Sequence, residues 1–294
     1  MSKNYKKKHT PQHLQKREYR GAPIDIVITT AGRFDVLAAC LDAVYREAQL
    51  TPVNVYIVDN ASDAKERQAN AELFVYHPEK DPAKNIMTWG TKRLAQNVGF
   101  PGAANEGARI GNAPLIMFLS DDVELHAGAL EKIVLDFNDQ SVGIVGIKTL
   151  FPPTSTDKNR PAGKVQHVGL ALNIQANPIH PLIGWSADNP KTCKTRDAWA
   201  VTGACFTIRR SLFEKTKGFD PIYGKGTYED TDLCLKVRQL GARIIVDTDA
   251  VAYHHVGATV AKRQEGFPLQ QNNMIFKSRW ANTQFFLWDE HLYW

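Results

Sequence analysis

The sequence predicts an α/β fold in which helices flank a mostly parallel central sheet. Residues 24–30 form an apolar run of strand-like composition, and residues 33–48 carry apolar side chains at helical spacing. A second apolar run follows at residues 53–58. A strand, a helix and a strand with such short joints form a βαβ unit, whose strands are parallel. Residues 115–119 are continuously apolar, as expected of a strand covered on both faces.

The remaining elements are predicted from apolar periodicity and turn residues. The stretch 63–95 fits a polar helix and one or two strands, and prolines make the chain loop-rich after residue 150. The other predicted elements are a glycine-punctuated loop and helix at 97–111, a strand at 142–147, short strands within 165–172, a strand at 199–208, a helical turn from 211, a helix at 228–240, and strands at 243–246 and 250–253.

The composition is that of a globular protein. The chain has 294 residues, of which 43% are hydrophobic and 23% are charged, so it can bury a substantial core. No apolar run approaches the length of about 20 residues that a membrane span needs, and no signal-peptide pattern is present. The four cysteines show no CxxC spacing, which gives no indication of a zinc site or a disulfide framework. We therefore predict a cytoplasmic protein without a transmembrane segment.

Positive charge is concentrated at the N-terminus. Residues 1–20 hold seven basic residues against one acidic residue, whereas the whole chain has a net charge of +5. The rest of the chain is therefore nearly neutral and has no basic stripe of the kind that reads nucleic acid. We predict that residues 1–22 are disordered. This tail could contact an anionic membrane surface weakly, or it could be a solvated leader with no partner.

Polar residues follow three predicted strands at the point where each strand ends. Thr30 ends the first strand, Asp59 follows the second, and Ser120-Asp121-Asp122 follows the strand at 115–119. Ligands of open α/β sheets bind at the carboxyl ends of the strands. A carboxylate pair there suits a divalent cation, which takes oxygen ligands and can in turn hold phosphate. The alternative is a solvated loop that happens to be acidic.

The last long predicted helix places an acidic residue on its buried face. Asp230, Leu233, Val237 and Leu240 fall on one face at helical spacing. Asp230 should therefore point toward the interior or a cleft, where a carboxylate can accept a proton from a substrate hydroxyl. The alternative is a capping box formed by Thr227 and Asp230.

The acidic neighbours of Asp230 have separate predicted roles. Glu229 could supply a second proton acceptor or could simply favour the helix dipole. Asp232 points away from the apolar face and can pair with Lys236 four residues later, so we predict that it lies at the surface.

Two further motifs carry groups that bind ligands. His254 and His255 follow an apolar strand, and an imidazole added to carboxylate and phosphate oxygens would suit Mn²⁺. A lone histidine is more often structural. The glycine-rich stretch 97–107 is neither a Walker loop nor a GxGxxG turn, and its glycines permit close approach of the backbone, either to a ligand or in a tight turn.

In this order, these motifs resemble those of family 2 glycosyltransferases with the GT-A fold, particularly the rhamnosyl- and galactosyl-transferase-like branch. The matching segments are IVITTAGR (26–33), VDNAS (58–62), QNVGFPGAANEG (96–107), FLSDDVEL (118–125), VTGACFTIRRSLFEKTKGFDPIYGKGTYEDTDLCLKVRQLG (201–241) and YHHVGAT (253–259). The 201–241 block is long and specific. The resemblance implies a Rossmann-like nucleotide-binding sheet.

The resemblance also implies residue roles. A nucleotide-diphospho-sugar would be bound by Thr30, Arg33, Asp59, Asn97, Gly99, Asp121, Gly203, Ala204 and Trp199, with Asp59 toward the base and the last three bordering the sugar or acceptor. Asp122 and His254 would hold Mn²⁺ or Mg²⁺, and Asp230, with Glu229 beside it, would be the catalytic base. Two departures from the family pattern are Ser120 at the first position of the DxD motif and TTAGR where PTYNR is common.

The implied activity is metal-dependent, inverting transfer of a hexosyl group from a UDP-, GDP- or dTDP-linked donor to an acceptor hydroxyl, such as one on a glycan. Two alternatives stay open: a sugar-phosphate nucleotidyltransferase, and a non-catalytic nucleotide- or sugar-binding module. The implied organisation is a tail at 1–22, a GT-A domain at 23–262 and an aromatic-rich helical extension at 263–294. Within the domain, residues 23–150 would bind the nucleotide and residues 151–262 would form the acceptor side. The aromatic residues of the extension are expected to complete the core, and the alternatives are that they cover the acceptor site or touch a membrane surface.

Overall fold

The computed structural model describes residues 23–173, 175–255 and 267–281. The predicted disordered tail at 1–22 lies outside these residues, as do the aromatic residues after position 281. No helix within the three described ranges is long and apolar enough to cross a bilayer.

The first βαβ unit forms as predicted. β1 (Ile24–Thr30) and β2 (Val53–Asp59) pair in parallel, and α1 (Phe34–Ala48) connects them. β2 also pairs in parallel with β3 (Ile86–Arg93), and β1 with β4 (Leu115–Ser120). The polar residues at the ends of β1, β2 and β4 therefore share one edge of the sheet.

The other strands complete a ten-stranded sheet and a separate two-stranded one. They are β5 (Val123–Leu125), β6 (Val142–Leu150), β7 (Val165–His167), β8 (Ala171–Leu172), β9 (Pro178–Ile179), β10 (Arg196–Asp197), β11 (Cys205–Arg209) and β12 (Arg243–His254). The main order is β10-β12-β6-β11-β4-β1-β2-β3, with β5 paired to β12 and β7 to β6. β11 runs antiparallel between β6 and β4. The sheet is thus mostly parallel, with an antiparallel strand at its centre.

Helices cover both faces of this sheet. The remaining α-helices are α2 (Ala64–Ala69), α3 (Gly99–Ala108), α4 (Ala129–Asp136), α5 (Arg210–Lys215), α6 (Glu229–Gln239) and α7 (Leu269–Trp280), with 3₁₀ turns at Ala71–Phe74, Pro78–Lys80 and Pro221–Tyr223. Ile26 packs with α1 and α4 on one face, whereas its neighbour Val27 packs with α3, α5 and α6 on the other. Burial on both faces explains why the strand sequences are continuously apolar.

Two strand predictions are corrected by the structure. The strands predicted at 243–246 and 250–253 form one strand, β12, because an irregularity between Asp247 and Val251 lets both parts pair with β6. The strand predicted at 199–208 begins only at Cys205, because residues 203–204 form a turn. The short elements β5 and α4 were not predicted.

The predictions for α6 are partly wrong. Leu233 and Val237 are buried as expected, but Leu240 is the C-cap and is 50% exposed. Asp232 pairs with Lys236 at 2.6 Å as predicted, yet its side chain is fully buried rather than at the surface. Tyr228 is the N-cap and no side chain caps the helix, so the alternative of a capping box is not realised.

Candidate active site

A cavity of about 600 Å³ opens at the carboxyl ends of β1 and β4. Its lining residues are Thr29, Thr30, Ala31, Gly32, Arg33, Asn60, Asp63, Glu66, Phe100, Ser120, Asp121, Asp122, Thr202, Gly203, Ala204, Lys225, Gly226, Thr227, Glu229, Asp230, His254 and Phe267. The ends of the parallel strands, the turn before β11, the start of α6 and the end of β12 therefore meet at one place. Residues more than 200 positions apart in the chain face the same space.

At one end of the cavity, a buried arginine holds two carboxylates. Arg33 NH1 donates to Asp122 Oδ2 at 2.9 Å, and Arg33 NH2 donates to Asp121 Oδ1. All three side chains are at most 7% exposed. Burial works to raise the pKa of Asp122, but the neighbouring His254 and Arg33 outweigh it and hold the pKa below its usual range. Burial keeps the pKa of Asp121 raised, although Arg33 opposes this.

His254 approaches Asp122 from the end of β12. Pairing of β12 with β5 places His254 opposite Val123, and its Nε2 lies 3.4 Å from Asp122 Oδ1. His254 Nδ1 lies 2.8 Å from Gln166 Oε1, which also accepts a hydrogen bond from Thr149 Oγ1 at 2.8 Å. Because an amide oxygen only accepts, His254 Nδ1 donates to Gln166, and Nε2 is the ring nitrogen that faces Asp122.

This pair fits a divalent cation. Asp122 Oδ1 is buried and has no hydrogen-bond partner. Two ligands of one cation, each about 2.1 Å from it and at right angles, lie roughly 3 Å apart, close to the separation of Asp122 Oδ1 and His254 Nε2. The described residues contain no group of three or more His, Cys, Asp or Glu side chains placed for a metal. His255 instead contacts Glu124 at 2.5 Å and does not line the cavity.

At the other end of the cavity, Asp230 lies at the start of α6. Its Oδ2 accepts a hydrogen bond from the backbone N–H of Gly203 at 2.8 Å, and its Oδ1 accepts one from the N–H of Thr231 at 2.6 Å. Burial raises the pKa of Asp230, and these backbone donors only partly oppose it. Ser120 N donates to Ala204 O at 2.8 Å, so the turn that contacts Asp230 is tied to the strand that carries the paired aspartates.

Glu229 is more deeply buried than Asp230, the neighbouring carboxylate in the cavity lining. It is 6% exposed, and its Oε2 has no hydrogen-bond partner. Burial, followed by the charge of Asp230, raises the pKa of Glu229 to about 8. Both carboxylates of this pair therefore bind a proton more readily than an ordinary carboxylate does.

Four residues predicted to bind the donor do not line the cavity. Asp59 is buried and accepts hydrogen bonds from Ser62 N at 2.9 Å and from Arg93 NH1 at 3.4 Å. It also forms an ion pair with Arg67, whose Nε lies 2.6 Å from Asp59 Oδ2. The 2.6 Å contact with Arg67 makes Asp59 part of an ion-pair network at the end of β2. Asn60, the next residue of the VDNAS segment, lines the cavity instead and was missed by the sequence analysis.

Asn97 and Gly99 support the start of α3. Asn97 Oδ1 accepts hydrogen bonds from Gly99 N at 3.0 Å and from Asn60 Nδ2 at 3.2 Å. Gly99 has φ of +75°, and a Cβ there would lie 1.9 Å from Gly224 O. Only glycine permits this approach of two backbones.

Trp199 packs away from the cavity. Its ring joins a cluster with Tyr223, Phe276 and Trp280, and the Arg238 guanidinium lies 4.4 Å from its centroid. Trp199 is the first residue of the segment predicted at 199–208, and the sequence gave no sign of the side it would occupy.

Comparison with known proteins identifies the family. The model of glycosyl transferase family 2 matches residues 25–217. The chain is 27% identical over 266 residues to the O-antigen biosynthesis protein RfbC of Myxococcus xanthus, covering 87% of this chain and 19% of that protein. It is 25% identical to the uncharacterized protein y4gI of Sinorhizobium fredii (strain NBRC 101917 / NGR234), covering 81% of this chain and 25% of that protein. The chain thus spans only a fifth to a quarter of these relatives.

Solved structures agree in fold. GalNAc-T7 with UDP, GalNAc and Mn²⁺ superposes with a TM-score of 0.64 at 13% identity, covering 89% of this chain and 48% of that one. The mannosyltransferase PcManGT of Pyrobaculum calidifontis, in complex with GDP-Man and Mn²⁺, gives 0.57 at 16% identity, covering 89% and 70%. S. aureus TarS 1-349 with UDP-GlcNAc gives 0.53 at 13% identity, covering 83% and 60%. The chain belongs to glycosyltransferase family 2 and has the GT-A fold.

Proposed function

We propose that the protein transfers a sugar from a nucleotide-diphospho-sugar to an acceptor hydroxyl, with inversion at the anomeric carbon and with the help of a divalent cation. The observation that carries this proposal is that Asp122, His254 and Asp230 face one cavity. One end offers two ligands for a cation, and the other offers a carboxylate of raised proton affinity. Family membership and the fold support the same reaction class.

The metal end would hold the diphosphate of the donor. Asp122 and His254 would bind Mn²⁺ or Mg²⁺, which would offset the negative charge that develops on the departing diphosphate. Arg33 keeps Asp122 ionised and in place through the 2.9 Å contact. Thr30, Asp121, Gly203 and Ala204 line the space beside this end and would contact the donor.

Asp230 would act on the acceptor. Its carboxylate would take the proton of the acceptor hydroxyl as that oxygen forms a bond to the anomeric carbon. The bond from this carbon to the diphosphate oxygen breaks, and the electron pair leaves with the nucleoside diphosphate. Attack from the side opposite the diphosphate inverts the anomeric configuration. The Gly203 N–H, 2.8 Å from Asp230 Oδ2, fixes the direction of the carboxylate.

The comparisons and the cavity lining support particular classes of donor and acceptor. The complexes of structural neighbours contain UDP, UDP-GlcNAc or GDP-Man, which supports a nucleotide-sugar donor here. The name of the Myxococcus xanthus relative supports a glycan as acceptor. Asn60, Asp63 and Glu66 line the cavity at the end of β2 and would lie nearest the nucleoside.

A thermal-shift screen of UDP-, GDP- and dTDP-sugars, with and without Mn²⁺, tests the proposal. At least one donor should raise the melting temperature only when Mn²⁺ is present. That donor should then release its nucleoside diphosphate when glycan acceptors are added. Formation of a nucleotide-sugar from a nucleoside triphosphate and a sugar phosphate, without sugar transfer, would contradict the proposal in favour of nucleotidyl transfer.

A further inference from the structure

The helix α7 lies beyond the part of the chain that the family model matches, yet it packs against the candidate site. Three of its residues, Asn272, Phe276 and Trp280, are buried at four-residue spacing and so form one face. Phe276 and Trp280 pack in the cluster that contains Tyr223 and Leu235 of the body. Asn272 is the polar member of this face and is only 1% exposed.

The amide of Asn272 is surrounded by oxygens of the segment before α6. Its Nδ2 lies 3.0 Å from Tyr223 O, 2.8 Å from Gly226 O and 3.2 Å from Thr227 O. The hydroxyl of Thr227 is a fourth acceptor at 3.0 Å. The chain from 223 to 227 therefore wraps around one donor group. Carbonyls that are turned inward in this way need a donor, because buried acceptors without partners are costly.

The wrapped segment has an unusual backbone. Thr227 and Tyr228 have φ of +84° and +70°, in the left-handed region that β-branched and aromatic residues rarely adopt. Such conformations persist only where the surroundings over-determine them. The four contacts of Asn272 hold the backbone of this segment from α7. Two other α7 residues contact the Tyr228 side chain: Asn273 Nδ2 donates to Tyr228 Oη at 2.7 Å, and the Phe276 ring packs on the Tyr228 ring.

This segment is also a wall of the cavity. Lys225, Gly226 and Thr227 line it, and Glu229 and Asp230 follow directly. A displacement of the turn would therefore move the start of α6 and change the direction in which Asp230 faces the cavity.

A second set of contacts anchors the far end of α7. Trp280 Nε1 donates to the buried Asp232 at 2.9 Å, and Tyr223 Oη donates to the same carboxylate at 3.2 Å. Lys236 Nζ lies 2.6 Å from the other oxygen of Asp232. These contacts bind α7 to α6 without touching the cavity wall at 225–227. They explain why Asp232 is buried. A variant at this end of α7 can therefore weaken the packing of the helix without altering the cavity wall at 225–227.

We propose that Asn272 is a positioning residue for sugar transfer: its amide holds the 223–227 turn, and through it the catalytic carboxylate Asp230, in the reactive arrangement. The proposal rests on the proposed function. It places the functional boundary of the catalytic unit at the end of α7 rather than at residue 262.

The test compares variants of the full chain at the two ends of α7. Asn272→Ala removes the donor, and Asn272→Asp keeps the side-chain volume but presents an acceptor to the inward carbonyls. Asn272→Ser retains one donor hydrogen. Trp280→Phe is the matched control, because it removes one hydrogen bond of the same helix face but leaves the wall untouched. For each variant we would measure kcat, the KM for the donor, donor affinity with Mn²⁺ and the melting temperature, with assays at a temperature where all variants are folded by circular dichroism.

Asn272→Ala and Asn272→Asp should lower kcat by about 10²-fold, the cost of displacing a catalytic group by roughly 1 Å, while donor affinity with Mn²⁺ is unchanged. Asn272→Ser should fall between them and the unsubstituted protein. Trp280→Phe should lower the melting temperature and leave kcat unchanged. If the Asn272 variants lose only stability, or if kcat falls equally in Trp280→Phe, the positioning role is wrong. An unsubstituted protein that transfers no sugar would contradict the proposed function itself, and the positioning role with it.

Discussion

An aspartate lies at each end of the cavity, and the charged and polar groups around the two aspartates shift their pKa values in opposite directions. Asp122 contacts Arg33 and His254, and its pKa is held below the usual range despite burial. Asp230 accepts hydrogen bonds from the backbone amides of Gly203 and Thr231, and burial leaves its pKa raised. A carboxylate that stays ionised suits a cation, whereas one with a raised pKa suits proton transfer. Neighbouring groups, rather than residue type, therefore give the two aspartates different proton affinities.

The largest effect is expected from removing the proton acceptor. Asp230→Asn keeps the shape of the side chain but cannot take a proton, so kcat should fall by about 10²–10⁴-fold, the usual contribution of a general base. Steady-state kinetics with a saturating donor would measure this loss. Turnover close to that of the unsubstituted protein would show that another group accepts the proton. It would contradict the assignment of proton transfer to the Asp230 end of the cavity.

A smaller effect is expected from the residue behind the metal end. Gln166 accepts from Nδ1 of His254 at 2.8 Å and so orients its Nε2 toward Asp122. Gln166→Leu should weaken Mn²⁺ affinity by about 10–100-fold, as found for partners of metal ligands in general. Titration with Mn²⁺ in the presence of donor, followed calorimetrically, would measure it. The exposed Gln68→Leu is the matched control. Equal Mn²⁺ affinity in both variants would contradict the role of Gln166 in orienting His254.

The smallest effect concerns the pH dependence of the base end. Glu229 has a pKa of about 8, so it gains a negative charge beside the donor as the pH rises above that value. The kcat/KM for the donor should therefore decline above about pH 8. In Glu229→Gln this decline should be absent. An identical alkaline decline in both proteins would show that a different group titrates.

Stability gives an independent check on Glu229. The pKa is about 8 in the folded chain against 4.5 for an ordinary glutamate, so the folded state keeps a proton that the unfolded state has released. The stability that this proton contributes is fully present below pH 4.5 and is lost as the pH rises through about 8. The melting temperature of Glu229→Gln, relative to the unsubstituted protein, should therefore increase across this interval. A difference in melting temperature that does not change with pH would contradict the raised pKa of Glu229 in the folded state.

The sequence predicted the fold, and it predicted that several candidate site residues lie at one sheet edge, for a common physical reason. Strands that are buried on both faces have continuously apolar sequences. The polar residues at the ends of parallel strands, such as Thr30 and Asp122, lie at one edge of the sheet. Asp230 was placed correctly by helical spacing. The family resemblance supplied the role of His254, which spacing alone could not have given.

What the sequence did not predict depends on contacts between distant segments. Asp232 was expected at the surface because it pairs with Lys236, but α7 covers it through Trp280. The importance of Asn272 depends on a turn whose shape arises from left-handed residues that no periodicity reveals. Asn60, which lines the cavity, donates to Asn97 Oδ1 and to Gly99 O, two partners that spacing does not specify.

The most direct test of the central claim is donor binding by two variants. Calorimetric titration of the donor identified by the screen would be carried out with Mn²⁺ on Asp122→Ala and Asp230→Asn. Both variants should transfer sugar far more slowly, but only Asp122→Ala should lose metal-dependent donor binding, while Asp230→Asn keeps the affinity of the unsubstituted protein. Equal loss of donor binding in both variants would contradict the division of the cavity into a metal end and a base end.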